Sequence, residues 1–412
     1  MKRRAFLPFL LTPTFFNPQR PVVEDGKSAP PTKITRIDTT YWRDGAALPW
    51  KPNWVWVRVH ADSGMVGLGE TYPRNEAEAS VVHSSVAGML LGRDPRDLER
   101  IWADLYRAFD FQVAGGAEMR ALSAIDLALW DLLGKSVNLP VYRLIGGRSN
   151  PDIRLYNTCF PHKYDFQKEP EKIMHELIER YGIRAIKIWP FDPAASSNRH
   201  EYVTAADIEQ GLYPVRKLRD AFGRDIEILM EFHGGWDLTS AVRIAQALEP
   251  YRPMWLEDIL LPGNFGQYRE LAGATAIPLT VSERMAGRMQ FLQLLESRAA
   301  KYVMFDVTWC GGLSEARKIA SMAEAFELPV APHTAGGPLL FYASTHLSTA
   351  LTNLAIQETC QVFYESTWPA MLNNPIVPKD GCVRVPELPG FGMEIKPEVW
   401  THPSAVTRTS TL

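Results

Sequence analysis

The chain has little to tie it together covalently. Four cysteines occur in 412 residues. Cys159, Cys310, Cys360 and Cys382 form no C-x-x-C and no zinc spacing, which argues against a disulfide framework or a cysteine metal site; they read as small buried hydrophobes. No run approaches the roughly 20 apolar residues that a bilayer-spanning helix needs. The formal charge of −3 lacks the basic excess that draws nucleic acid or an anionic membrane, so neither is expected as a partner. No G-x-S-x-G elbow and no Walker-type glycine loop occurs, which removes the sequence support for serine-nucleophile and P-loop chemistry. What is present, 46% hydrophobic and 22% charged residues, suits a globular chain long enough for more than one domain.

Residues 1–32 stand apart. "MKRRAFLPFLLTPTFF" has a basic start, a twin arginine at Arg3 and Arg4, and a largely apolar stretch, a pattern that resembles a twin-arginine export signal. Residues 17–32 are polar and proline-rich and read as a linker. Export to the periplasm is the expectation; the alternative is a cytoplasmic protein with an N-terminal tail.

Residues 33–150 combine strand-like text, "KITRIDTTYW" and "NWVWVRVHADSGMVGLGET", with a helical pattern. In "MRALSAIDLALWDLLGK" the apolar positions Met119, Leu122, Ile125, Leu129 and Leu132 step by three or four, marking one helix face. This is an α+β domain. From residue 151 the rhythm changes to short apolar strands alternating with helices. Eight candidates, "IRLYNT", "RAIKIW", "IEILMEFH", "MWLED", "PLTVSE", "YVMFDVT", "PVAPH" and "LAIQE", predict an α/β fold: a parallel (β/α)8 barrel over 151–358. Residues 359–412 are a C-terminal segment, extended from Pro375 and returning toward the first domain.

Six ionisable residues close successive strands: Glu231, Glu257, Glu283, Asp306, His333 and Glu358, at separations of 26, 26, 23, 27 and 25. Their placement gathers them at the carboxyl-end mouth of a barrel, where barrel active sites lie. In "ILMEFHGGW" an extended strand would put Glu231 and His233 on one face. Three converging glutamates repel in a low-dielectric site, and a hard divalent cation, Mg²⁺ or Mn²⁺, relieves them. The alternative is a separate basic partner for each, and Arg284 and Lys187 supply only part of that. Asp306 beside His333 fixes the imidazole tautomer, as a proton-abstracting base requires. Metal and base together point to removal of a proton α to a carboxylate.

These residues carry a resemblance. "ALSAIDLALWDLLGK...PVYRLIGG", "WLED", "SER", "FDVTWCGGLSEARKIA" and "APHTAGGP" resemble the enolase superfamily in its mandelate racemase-like branch, over most of residues 33–395. The resemblance implies a capping domain over the barrel mouth, Mg²⁺ held by Glu231, Glu257 and Glu283, the His333–Asp306 dyad as base, and a homo-oligomer. It makes Glu358 the acid that hydrogen-bonds a bound carboxylate or enediolate; a strand-end cap is the alternative. Related racemases carry K-x-K on the second strand, but here the text is Lys187-Ile188-Trp189, so the second base is missing. Lys187 is expected over the substrate carboxylate or in a buried ion pair with Glu231.

His233 resembles the general acid of sugar-acid dehydratases such as galactonate dehydratase, although E-x-H replaces their D-x-H; the alternative is a prop for the metal ligand. The implied reaction is Mg²⁺-dependent dehydration of an aldonate or aldarate. The runner-up is one-base epimerisation or cycloisomerisation, and a binding protein without turnover is a third reading. Loops around Tyr41–Trp50 and Tyr72–Asn75 suit a polyol chain, with Tyr72, Trp189, Trp309 and His162 as candidate substrate-binding residues.

Overall fold

The computed structural model describes residues 32–43, 45, 48, 52–109 and 115–412. The leader with Arg3 and Arg4 lies outside the described residues, as does most of the loop running to Trp50. No described helix is long and apolar enough to cross a membrane.

Strands β1 (Ile34–Trp42), β2 (Val55–Ala61) and β3 (Val66–Thr71) form an antiparallel sheet, with the turn between the last two at Gly64. The helix Gly116–Ser136 lies on β3 and is buried along most of its length, not on one face only. It is sandwiched between the sheet and the barrel helix Gly312–Ala325, so both sides lose water. Close approach demands glycine: a Cβ on Gly67 or Gly69 would overlap the backbone oxygens of Ala128 and Ala124.

The second sheet is parallel. Strands β4 (Ile153–Thr158), β5 (Ala185–Ile188), β6 (Glu227–Glu231), β7 (Trp255–Glu257), β8 (Leu279–Val281) and β9 (Tyr302–Val303) pair in sequence, and β10 (Gln357–Thr359) pairs back onto β4. Between β9 and β10 the seventh stave narrows to single parallel bridges, Val303 to Val330 and Val330 to Leu354, which close the ring of eight. The staves are short apolar runs buried on both faces, as a parallel barrel wrapped by helices requires.

Beyond the barrel, β11 (Cys382–Val383) pairs with β4, and β12 (Ala405–Thr411) runs antiparallel to β1 and completes the first sheet. Cap and barrel thus belong to one unit, Thr32–Leu412. All four cysteines are free, three of them buried.

Candidate active site

Stave ends bring the acids together. Glu231 and Glu257 are register partners closing β6 and β7, and Glu283 follows β8 by two residues. Each offers a carboxylate oxygen within 4.8 Å of the others, and all three side chains are buried. The chain does not continue extended beyond Glu231. Its Oε1 accepts the N–H groups of Phe232 (3.0 Å) and His233 (2.6 Å), and His233 takes a left-handed φ of +50°. Glu231 and His233 nonetheless line one cavity, through this turn and not through strand alternation.

A cation stands among the carboxylates. The buried ion pair of Lys187 with Glu231, one of the two placements expected from sequence, is present and extends to two further acids. Lys187, from β5, places Nζ 2.6 Å from Glu257 Oε1, 3.0 Å from Glu358 Oε1 and 3.5 Å from Glu231 Oε2. One ammonium falls short of the charge. Burial, opposed by Lys187, still pushes Glu231 up to about 7. Burial and the neighbouring Glu231 push Glu257 well above the usual carboxylate range. Glu231 Oε2 has no hydrogen-bond partner among the described residues. A buried oxygen without a donor, in an all-carboxylate set short of positive charge, fits a hard divalent cation such as Mg²⁺. Trp255 Nε1 meanwhile donates to Glu257 Oε2 at 2.9 Å and orients that carboxylate.

Asp306 and His333 meet as predicted, Nδ1 to Oδ2 at 2.9 Å. The imidazole Nε2 therefore faces the cage, 3.4 Å from Glu283 Oε2 and 3.6 Å from Glu358 Oε2. Burial alone would lower its pKa, but Glu283, Glu358 and Asp306 raise it to about 10. Charge on Glu283 committed to a cation would weaken that hold on the proton, the direction a base requires.

Glu358 stands in the last stave, lines the same cavity and is ringed by donors. Burial pushes its carboxyl up, yet Lys187 and His333, with bonds from Thr158 Oγ1 and the Thr334 N–H, bring it down to about 2. An ionised carboxylate so surrounded accepts hydrogen bonds, and it anchors Lys187.

The cavity over these tips has a volume of about 240 Å³. Tyr72, Trp189, Trp309 and His233 line it, as expected. His162 does not: Glu365 holds its Nε2 at 2.8 Å, away from the mouth. Larger hollows of about 640 and 550 Å³ lie beside Tyr41 and beside Asp152 and gather no comparable set of acids and bases.

Sequence reasoning missed Asp192, whose Oδ2 lies 2.6 Å from His233 Nδ1. It opens the short helix Asp192–Ser197 and carries no motif. Thr158 and Phe160, which also line the cavity, were missed as well, although Thr158 closes β4 as the acids close their strands. Asp258 is another buried acid beside the cage, raised to about 8 by burial and then Glu283, with Ser282 Oγ donating to it at 2.6 Å.

The arrangement has relatives. Residues 50–146 match the mandelate racemase / muconate lactonizing enzyme N-terminal domain, and residues 171–399 match the enolase C-terminal domain-like family. A D-galactonate dehydratase of Ralstonia nicotianae is 32% identical over 374 residues, 88% of this chain and 92% of the relative. That of Klebsiella pneumoniae is 33% identical over 332 residues, 79% and 81% of the two chains. A crystal structure of a mandelate racemase-subgroup enolase from Agrobacterium tumefaciens is 39% identical with a TM-score of 0.84, covering 92% of this chain and 99% of that one. With matches to both domains and to full-length relatives, the chain belongs to the enolase superfamily, in its mandelate racemase / muconate lactonizing enzyme branch.

Proposed function

We propose that this enzyme removes water from a sugar acid, an aldonate or aldarate, giving a 2-keto-3-deoxy acid. The observation that carries the reading is the placement of two imidazoles across one cavity. His233 follows the third stave and His333 the seventh, diametrically opposite in a ring of eight, and both line the space above the acid cluster. Anti elimination needs such a pair: a base on one face of the substrate and an acid on the other. The naming of relatives as D-galactonate dehydratases supports the same reaction.

His333 Nε2, its tautomer fixed by Asp306, takes the α-proton. Mg²⁺ held by Glu231, Glu257 and Glu283 would supply positive charge to the substrate carboxylate as that proton leaves. The Lys187 ammonium, anchored by Glu257 and Glu358, adds a donor on the same side. His233 gives a proton to the 3-hydroxyl as the C3–O bond breaks; water departs and the enol becomes the keto acid. Trp189, at the position of the racemases' second lysine, packs edge-on to Phe166 at 4.8 Å and offers no proton acceptor.

The test is incubation of diastereomeric hexonates, D-galactonate first, with enzyme and Mg²⁺ in D₂O, trapping 2-keto acids with semicarbazide. Keto acid formation supports dehydration. Deuterium entering the α-carbon without keto product would replace it with one-base epimerisation, and ligand binding without exchange would replace it with a binding role.

A further inference from the structure

Tyr72 lines the cavity, and its hydroxyl is hydrogen-bonded to the dyad. It directly follows β3 of the cap and is only 4% exposed. The phenol donates to Asp306 Oδ2 at 2.8 Å, the same oxygen that faces His333 Nδ1 at 2.9 Å. The other oxygen, Oδ1, accepts from the Thr308 N–H at 2.7 Å and Thr308 Oγ1 at 2.6 Å. Asp306 is thus held on both oxygens, and one of its restraints comes from the opposite domain.

The cap is fastened around this bond. Thr71 Oγ1 donates to Thr308 O, and Trp309 Nε1 donates to Tyr72 O, both at 2.9 Å. The Tyr72 ring packs on Trp309 at 4.6 Å, and a Cβ on Gly336 would come within 2.5 Å of it. The neighbouring Glu70 accepts the N–H groups of Leu339 and Leu340, at the start of the helix after the His333 stave. Asp126 of the cap helix accepts Ser314 N–H at 2.9 Å, at the start of the helix after the Asp306 stave. Cap residues therefore grip both staves that carry the dyad.

We propose that Tyr72 is a positioning residue for proton abstraction: its phenol sets the plane of Asp306, and through it the direction of His333 Nε2, only when the cap is seated. The assignment rests on His333 being the base. The rest of the geometry follows from the hydrogen bonds. A carboxylate pinned by Thr308 alone keeps one oxygen but can swing the other, and the imidazole attached there swings with it. Misplacement of a reacting group by about 1 Å can cost on the order of a hundredfold in rate. Burial and the adjacent Asp306 hold the phenol well above its usual pKa, so it remains a donor.

Tyr72→Phe keeps the ring, its contact with Trp309 and its fit to Gly336, and removes the hydroxyl alone. With the hexonate active in the screen above, kcat and α-deuterium exchange should fall together by about 10- to 100-fold, with KM and calorimetric Mg²⁺ affinity within about twofold. Unchanged kcat overturns the assignment, and so does a raised KM with kcat intact, which would make Tyr72 a substrate ligand. Thr71→Val removes a cap bond to Thr308 without touching Asp306. Its kcat should stay within about twofold of wild type; a loss equal to that of Tyr72→Phe would mean a loosened cap explains both, and overturns a specific role for the phenol. His333→Asn separates the two levels. If it retains exchange, the base reading fails and the assignment falls with it. If it is inactive while Tyr72→Phe is normal, only Tyr72 is wrong.

Discussion

His233 and Asp192 face each other at 2.6 Å, Nδ1 to Oδ2, His233 from the turn after one stave and Asp192 from the short helix after the stave before it. With Nδ1 committed to the carboxylate, Nε2 is the nitrogen that would carry a proton to the leaving hydroxyl. His233→Asn should reduce keto acid formation by at least about a thousandfold while α-deuterium exchange remains within about tenfold of wild type. Asp192→Asn should reduce dehydration by about tenfold, because the ring keeps its place but loses a charged partner. NMR of the substrate in D₂O reads both processes in one sample. Equal loss of exchange and dehydration in His233→Asn would remove the acid role and leave the histidine as a prop for Glu231.

The shortage of positive charge around Glu231 and Glu257 makes a binding prediction. Mg²⁺ at a hundred times its dissociation constant should stabilise the fold by about 2.7 kcal/mol, seen as a rise in melting temperature and as heat in calorimetry. Chelation should abolish turnover and Mg²⁺ restore it. Glu257→Gln should lose most of the thermal shift while retaining secondary structure by circular dichroism. A wild-type protein that shows neither heat nor shift with Mg²⁺ or Mn²⁺ would leave the acid cluster without its proposed cation.

The barrel was legible because its local signals agree: short apolar runs, helices between them, and a polar residue closing each strand. The dyad and the three-glutamate cluster were visible for the same reason, since stave ends converge once the ring closes. Pairings set only by tertiary geometry were not visible. Tyr72 and Asp306 are 234 residues apart, and nothing local marks the phenol as a partner of the dyad. Asp192 reaches His233 only because the chain turns left-handed there, which strand alternation does not anticipate. Lys187 was placed near the acids but not among three of them, since side-chain reach across the barrel is a property of the closed ring. His162 follows the first stave closely enough to suggest the cavity, but Glu365 captures it.

The contact between cap and barrel gives a stability prediction at Gly312. Its φ is +84°, and a Cβ there would overlap the Asp126 carboxyl group. That carboxyl is 3% exposed and accepts both the N–H and Oγ of Ser314, so displacing it breaks a buried network. Gly64 supplies the comparison: its φ is +83°, but nothing lies within 4 Å of its Cβ position. Gly64→Ala should cost about 1 kcal/mol, the backbone contribution alone, and Gly312→Ala about 3 kcal/mol or more. Urea unfolding of both variants checks this. Equal losses would mean that Asp126 yields without cost and that the cap is less firmly seated than its hydrogen bonds imply.

His346 predicts how the fold responds to acid. It is fully buried in the helix Pro338–Ala350; its Nδ1 accepts the Tyr142 N–H and its Nε2 donates to Phe391 O, both at 3.1 Å. Burial pushes its pKa down to about 3, against 6.5 for an unburied histidine. The folded state therefore refuses a proton that the unfolded chain accepts. The neutral ring's full contribution to stability is present above about pH 6.5 and is lost as pH falls toward 3, at about 1.4 kcal/mol per pH unit. Between pH 7 and pH 5 this amounts to about 2 kcal/mol. His346→Gln removes the titration while leaving an amide able to donate and accept in the same direction. Its stability at pH 7 should be lower, since the side chain fits less well, but its decline between pH 7 and pH 5 should be shallower by about that 2 kcal/mol. Parallel declines in urea-unfolding free energy for the two proteins would show that His346 takes up a proton in the folded state and that its two backbone bonds rearrange to accept it.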